Sequence, residues 1–127
     1  MTYDYELFFG ENTGTVSKCM LEPTEQLLDL ARDKEVYFTF FIDVGYLIQA
    51  EKYTELSLEL SQIKKQINKM VFEGHDVQLH IHPHWENSVF KDGAWEMNTS
   101  GNYKLSDFSK EESDRIVRTY KNYLESL

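Results

Sequence analysis

The stretch that decides the fold runs from residue 74 to residue 84 and reads GHDVQLHIHPH. Its segment Val77-Gln78-Leu79 alternates apolar and polar residues, which is typical of a β-strand. Three histidines, His80, His82 and His84, follow where that strand would end. In a parallel α/β sheet, ligands and catalytic residues collect at the carboxyl ends of the strands. This stretch therefore indicates both a fold class and a metal or catalytic site.

The spacing of the histidines favours a metal site. Residues two apart on a strand share a face, so His80 and His82 can point the same way. The bend at Pro83 can bring His84 towards the same point. Neutral imidazole is a common ligand of zinc and related divalent metals, and a carboxylate or a third nitrogen would complete a triad. The alternative is that these histidines cap backbone groups or face solvent.

Two acidic residues near the start of the chain can supply that carboxylate. Asp4 and Glu6 lie in the aromatic-rich segment Thr2–Phe9, which is predicted to be a strand although Asp and Glu are poor strand formers. Because they are two residues apart, they share a face. One could bind a metal while the other accepts a proton from a metal-bound water. The alternative is an edge strand with a solvated acidic face.

Three segments in this order resemble the polysaccharide deacetylase family, of the NodB-homology or carbohydrate esterase 4 type. Residues 2–6 (TYDYE) resemble its first motif, and residues 74–84 resemble its second. Between them, residues 37–45 (YFTFFIDVG) are similar to the "ATFFV" strand of the family. The resemblance extends from residue 2 to roughly residue 85. It implies an α/β fold equivalent to the N-terminal half of a deacetylase-type (β/α) barrel.

The resemblance also implies a reaction, the metal-assisted hydrolysis of an N-acetyl amide on a sugar. In that family an Asp of the first motif is the general base, and Asp4 has that position here. A nearby acid binds the metal. The common first motif has two adjacent Asp residues, but Tyr5 follows Asp4 in this sequence. Glu6 is therefore the acidic metal ligand that the resemblance implies.

The two histidine ligands of the family are four residues apart, which corresponds to His80 and His84. Together with Glu6 they would hold one divalent metal, most often zinc. By the same correspondence, His82 is a neighbour on the face of the strand and His75 is a loop or structural histidine.

The later motifs of the family do not follow in this sequence. An Arg-containing strand, an Asp and Trp motif and a final Leu-x-His strand are expected, and Lys91–Trp95 has the wrong spacing for the second of these. All four histidines lie between residues 75 and 84, so no distal histidine remains as general acid. We therefore expect a deacetylase that needs more chain. The alternative is a non-catalytic metal- or carbohydrate-binding remnant, or a subunit of a split enzyme.

The hydrophobic pattern predicts one domain, residues 1–127, with the element order βαβαβα and a parallel sheet. The predicted strands are Thr2–Phe9, Val36–Ile42 and Val77–Ile81. A polar loop is predicted from His84 to Asp107. In it, Trp85, Phe90 and Trp95 could form a wall for a sugar or cover the open end of the sheet.

Three helices are predicted from apolar positions at helical spacing. Pro23 could start the first, whose buried side would contain Leu27, Leu28, Leu30 and Ala31. The second has an apolar stripe of Leu56, Leu60, Ile63, Ile67 and Met70. The third would begin at a capping box, Ser109–Glu112, and bury Ile116, Tyr120, Tyr123, Leu124 and Leu127.

The composition bears on partners and location. A formal net charge of −9 argues against binding to nucleic acid or anionic membranes. The single cysteine, Cys19, the lack of a long apolar run and a strand at the very start favour a cytoplasmic protein without a signal peptide. A carbohydrate is the expected substrate. Three strands would leave a sheet edge uncovered, which favours a homo-oligomer or a complementary chain.

Overall fold

The structure, a computed structural model, describes residues 1–8, 14–97 and 99–127. A three-stranded parallel sheet lies at its centre, with β1 (Thr2–Tyr5), β2 (Thr39–Asp43) and β3 (Asp76–His80) in the order β1-β2-β3. The parallel pairing of both neighbours confirms the predicted α/β class.

Helices connect and flank these strands. They are α1 (Glu22–Lys34), α2 (Val44–Ala50), α3 (Ser57–Phe72) and α4 (Lys110–Glu125). A π-helical turn, Ser17–Leu21, leads directly into α1, which has Pro23 in its first turn. In the described residues no helix is both long enough and apolar enough to cross a membrane.

The predicted start of α4 is confirmed. The Ser109 side chain accepts a hydrogen bond from the backbone N–H of Glu112, and the Glu112 carboxylate accepts one from the backbone N–H of Ser109. This reciprocal pair satisfies two N–H groups that an uncapped helix end would leave without partners. Ile116 and Tyr120 are buried, and the other three predicted apolar positions of this helix are half-buried.

One face of the sheet forms the core. Tyr5, Phe40 and Ile42 point to this face and are fully buried. They belong to one cluster with apolar side chains of the helices, which include Leu28, Ala31, Leu60, Ile63, Ile67 and Met70. The Tyr5 hydroxyl donates a 2.9 Å hydrogen bond to Gln66 of α3, so the buried phenol has a polar partner. The predicted stripe of α3 is confirmed from Leu60 onwards, and Leu56 is buried in the turn just before it.

The opposite face of the sheet is polar. Its residues alternate with those of the core along each strand. Thr2, Asp4, Asp76 and Gln78 on this face are exposed, while Thr39 and Phe41 are half-buried. At the carboxyl ends of the strands this polar face continues into the residues of the candidate site.

The boundaries of two predicted strands were wrong by three residues or more. β1 ends at Tyr5, and of the remaining predicted residues Phe8 is 64% exposed while Phe9 lies outside the described residues. β2 begins only at Thr39, three residues after the predicted Val36. The reason is the end of α1, where Glu35 has a left-handed conformation (φ 52°) and the N–H of Val36 still bonds to Ala31. The chain is therefore still leaving the helix where a strand was predicted.

The predicted burial of Leu30 was also wrong, since this side chain is 49% exposed. The buried positions of α1 are Thr24, Leu28 and Ala31, at spacings of four and three. Leu30 falls beside that stripe rather than on it. β3 likewise begins and ends one residue before the predicted Val77–Ile81.

Two features were not predicted. Helix α2 follows β2 without a loop, and a hairpin of β4 (Val89–Lys91) and β5 (Ala94–Glu96) occupies part of the predicted polar loop. Asp92 and Gly93 both have positive φ, as a tight two-residue hairpin turn requires. On β5, Trp95 packs edge-on against Trp85, with ring centres 5.0 Å apart.

Candidate metal centre

Three side-chain donor atoms converge at the carboxyl edge of the sheet. They are Oε2 of Glu6, Nε2 of His80 and Nε2 of His82, which all lie within 4.8 Å of one another. The Glu6 oxygen lies 2.6 Å from the His82 nitrogen and 3.2 Å from the His80 nitrogen. The two nitrogens are 2.9 Å apart. We call these three residues the Glu6 cluster.

The strand register explains why residues far apart in sequence meet here. Tyr5 pairs with Ile42 in the register of β1 and β2, so Glu6 comes next to Asp43. Asp43 in turn pairs with His80 of β3. Glu6, Asp43 and His80 therefore form a row across the three strand ends, on the polar face. His82 joins this row because it lies two residues beyond His80, still in an extended conformation.

The electrostatics of the cluster favour an ionised Glu6 beside a protonated His82 when no metal is bound. A hydrogen bond from His82 holds the pKa of Glu6 below its ordinary value, although burial opposes this. Burial alone would lower the pKa of His82, but the hydrogen bond to Glu6 and the negative charge of Asp43 raise it above its ordinary value. Three lone-pair atoms at these distances repel one another unless a proton or a cation lies between them.

The donors fit a divalent metal. Two imidazole nitrogens and one carboxylate oxygen are a usual protein ligand set for zinc and its neighbours. Ligands about 2.0–2.1 Å from a tetrahedral metal are about 3.3 Å from each other. The 3.2 Å between Glu6 and His80 agrees with this, whereas the 2.6 Å and 2.9 Å distances to His82 would have to lengthen around an ion. The side chains of Glu6, His80 and His82 are 28%, 29% and 18% exposed, so an ion can reach them from solvent.

His84, a predicted ligand, lies beside the cluster and is not one of its three members. Its side chain is fully buried, with its ring centre 5.3 Å from that of His82 and 5.1 Å from that of Trp85. Burial, together with the positive charge of His82, lowers the pKa of His84 to about 4. At neutral pH the ring is therefore uncharged. Its role as a ligand stays a prediction.

Two other residues of the predicted motifs differ in burial, since Asp4 is exposed and His75 is buried. Asp4, the predicted base, is exposed on the polar face of β1, and its negative charge helps to raise the pKa of His82. His75 is buried just before β3, where its Nδ1 accepts a 3.2 Å hydrogen bond from the backbone N–H of Phe38. This contact agrees with the structural role predicted for His75.

The sequence reasoning missed Asp43, the last residue of β2. Its carboxyl group is fully buried, and Oδ2 accepts a 2.5 Å hydrogen bond from Nε1 of Trp85. Within the described part of the chain, Oδ1 has no hydrogen-bond partner. Burial raises the pKa of Asp43 to about 7, while the charge of His82 and the Trp85 N–H oppose the rise. An acidic residue at the end of an apolar strand was the available signal.

Gly45 allows Trp85 to reach Asp43. A Cβ atom at Gly45 would lie 2.9 Å from both Cβ and Cδ1 of Trp85, and 3.0 Å from the hydroxyl of Tyr120. Such distances are shorter than ordinary van der Waals contact. Only a residue without a side chain lets the Trp85 ring pack this closely against the start of α2.

Helix α4 holds the histidine-bearing loop in place from the other side. The hydroxyl of Tyr120 donates a 2.9 Å hydrogen bond to Glu86, and Arg115 pairs with the same carboxylate at 2.6 Å. Ser88 donates a 2.8 Å hydrogen bond to the backbone carbonyl of His84. The short 3-10 turn Pro83–Asn87 is therefore fixed to the body of the protein.

Comparison of the sequence with protein-family models, with curated proteins and with solved structures gives no match. The chemistry of the site therefore has to be judged from its own residues and their geometry.

Proposed function

We propose that the protein is a metal-dependent hydrolase of the polysaccharide deacetylase type, which removes N-acetyl groups from a sugar or polysaccharide. Its three-stranded sheet would correspond to the N-terminal half of a deacetylase-type barrel. The observation that carries this proposal is the convergence of Glu6, His80 and His82 at the carboxyl edge of a parallel sheet. That edge is where α/β enzymes place their catalytic residues.

Glu6, His80 and His82 would hold the metal, for which zinc is our first choice. A divalent cation in this position polarises a carbonyl oxygen and lowers the pKa of water. His84 remains a candidate for an additional ligand, because its ring lies beside that of His82 and is uncharged at neutral pH.

Asp4 would accept the proton of the attacking water. It is exposed and shares the polar face of the sheet with Glu6, so a substrate lying on that face can reach both. The hydroxyls of Thr2 and Thr39 and the amide of Gln78 are on the same face. Such groups are suited to hydrogen bonds with the hydroxyls of a sugar.

A second candidate function is a non-catalytic cation- or carbohydrate-binding subunit. It is favoured by the positions of the four histidines. Three of them lie at or beside the Glu6 cluster, and His75 is engaged with the backbone of Phe38. None of the four is left to protonate the leaving amine, so a complementary chain would have to supply that group.

Zinc binding and acetate release together test the two candidates. The purified chain is stripped of metal, titrated with zinc, and then incubated with N-acetylated sugar oligomers. We expect one zinc per chain and negligible acetate release by this chain alone, because no further histidine is present to protonate the leaving amine. Glu6→Gln should reduce zinc binding, whereas Asp76→Asn, which removes a charge at the far end of the same sheet face, should not.

The possible results separate the candidates. Zinc-dependent acetate release that is lost in Asp4→Asn, by this chain alone or with a complementary chain, would favour the hydrolase. Zinc binding with no acetate release in either case would favour the non-catalytic subunit. A wild-type chain that binds no zinc, or a Glu6→Gln variant that binds it as well as the wild type does, would contradict the proposed metal centre.

A further inference from the structure

We propose that Asp43 is the second carboxylate of the cation site, and that its ionised Oδ1 atom increases the affinity of the Glu6 cluster for a divalent cation. This inference rests on the proposed function and adds to it a residue to which the sequence motifs assigned no role and which is not one of the three donors of the cluster.

The position of Asp43 in the sheet is the first reason. It stands in the middle of the row across the strand ends, paired with His80 on one side and next to Glu6 on the other. Residues in register on neighbouring strands point to the same face of a sheet. The Asp43 side chain therefore lies on the same face as two members of the cluster, and it is fully buried while they are partly exposed.

The unsatisfied oxygen of Asp43 is the second reason. Buried polar atoms are nearly always hydrogen-bonded, and one that is not needs an explanation. Asp43 directly precedes α2, yet its side chain makes no capping hydrogen bond to that helix. Trp85 holds Oδ2, whereas Oδ1 has no partner among the described residues. The fold thus positions the carboxyl group through Oδ2 and leaves Oδ1 without a hydrogen bond of ordinary geometry, although the backbone N–H of Tyr46 is close enough to favour the charged form.

The charge of the site is the third reason. Glu6 carries one negative charge and a metal-binding imidazole is neutral, so Glu6, His80 and His82 leave a divalent cation with an excess of one positive charge. An ionised Asp43 cancels that excess. A buried charge is tolerated when a partner of opposite sign lies close to it, and a cation held by Glu6 would be such a partner.

Asp43→Asn tests the inference because it removes the charge and keeps the shape. The Asn carbonyl oxygen can still accept the hydrogen bond from Trp85, so a role that is only structural would be preserved. The metal-free wild type, Asp43→Asn and the control Asp76→Asn are titrated with zinc in a calorimeter at pH 7.5. Cobalt(II) absorption spectra of the same proteins report on the surroundings of the ion.

We expect Asp43→Asn to bind zinc at least about tenfold more weakly than the wild type, in line with the effect of groups that support metal ligands. The cobalt spectrum should change, while Asp76→Asn should match the wild type in both measurements. Near-ultraviolet circular dichroism checks that Asp43→Asn keeps its tertiary structure. If it does not, Asp43→Glu replaces it, and restored folding with altered zinc affinity is then the expected result.

Zinc affinity within twofold of the wild type in a folded Asp43→Asn variant, with an unchanged cobalt spectrum, would overturn the inference. Glu6→Gln and His80→Ala keep this failure distinct from a failure of the proposed function. If those two variants lose zinc and Asp43→Asn does not, only the role of Asp43 is refuted. If none of the three changes zinc binding, the metal centre itself is refuted.

Discussion

Replacement of Asp43 by Asn should make the metal-free protein more stable at alkaline pH. The pKa of Asp43 is about 7 in the folded protein, whereas the ordinary pKa of an aspartic acid side chain is 3.8. The increase arises because the folded chain buries the carboxyl group completely. Between pH 4 and pH 7 the folded state therefore binds more protons than the unfolded state does. By linkage, the free energy of unfolding falls as the pH rises through this interval.

The magnitude follows from the size of the shift. Each pKa unit corresponds to about 1.4 kcal/mol, so a shift of about three units corresponds to about 4 kcal/mol between pH 4 and pH 8. The Asn side chain does not titrate and still accepts the hydrogen bond from Trp85. The free energy of unfolding of Asp43→Asn should therefore not fall in this way as the pH rises. At pH 8 it should exceed that of the wild type by up to about 4 kcal/mol.

Urea denaturation of both metal-free proteins at pH 5, 6, 7 and 8 measures the effect. The difference between the two free energies of unfolding cancels the groups that do not interact with Asp43, and retains Asp43 together with its coupling to His82 and Glu6. Added zinc should reduce the difference, because it stabilises the wild type more than the variant. Parallel pH profiles, in which the difference between the proteins stays constant within about 0.5 kcal/mol, would show that burial of Asp43 does not cost the predicted energy.

Three further predictions concern the surroundings of the site. Gly45→Ala should destabilise the fold by about 1–3 kcal/mol in urea denaturation, since its Cβ would overlap Trp85; an unchanged midpoint would contradict the close packing. Zinc titration should find a greater loss of affinity in His82→Ala than in His84→Ala, and the reverse order would restore the family-like ligand set. Light scattering across a dilution series should find a dimer or larger assembly, because β1 and β3 are edge strands; a constant monomer mass would contradict this.

The fold class was predictable because strands and helices of this chain have different apolar periods. The stripe of α3 and the capping box of α4 are local patterns, and both appear where expected. Helix α2 lacked such a pattern, because nearly all of its residues are buried and no polar side interrupts them. The strands β4 and β5 have three residues each, which is too short for an alternation to be recognised.

The candidate site was predictable only as far as local spacing reaches. Asp4 and Glu6 share one face of their strand, and His80 and His82 share one face of theirs, because residues two apart on a strand do so. That spacing could not decide between His82 and His84. The 3-10 turn that begins at Pro83 carries His84 into the protein interior, next to Trp85, while His82 stays with Glu6.

Asp43 was missed for a different reason, since its place beside Glu6 depends on the register of three strands. Residues 6, 43 and 80 are brought together by two long-range pairings that no single segment encodes. An Asp between an apolar strand and a helix also has a simpler interpretation as a helix cap. In the structure Asp43 makes no capping hydrogen bond of ordinary geometry, although the backbone N–H of Tyr46 is close enough to lower its pKa.

The energetic cost of Asp43 is itself an argument about function. A loss of up to about 4 kcal/mol at alkaline pH is a large part of the 5–15 kcal/mol that typically stabilises a domain. Nothing in the described fold requires that loss, because an Asn would occupy the same volume and accept the same hydrogen bond from Trp85. At alkaline pH, a protein that only needed to position Trp85 would be more stable with the uncharged amide. A carboxylate at this position is advantageous where a cation compensates its charge, and the row of strand ends places it next to Glu6 and His80.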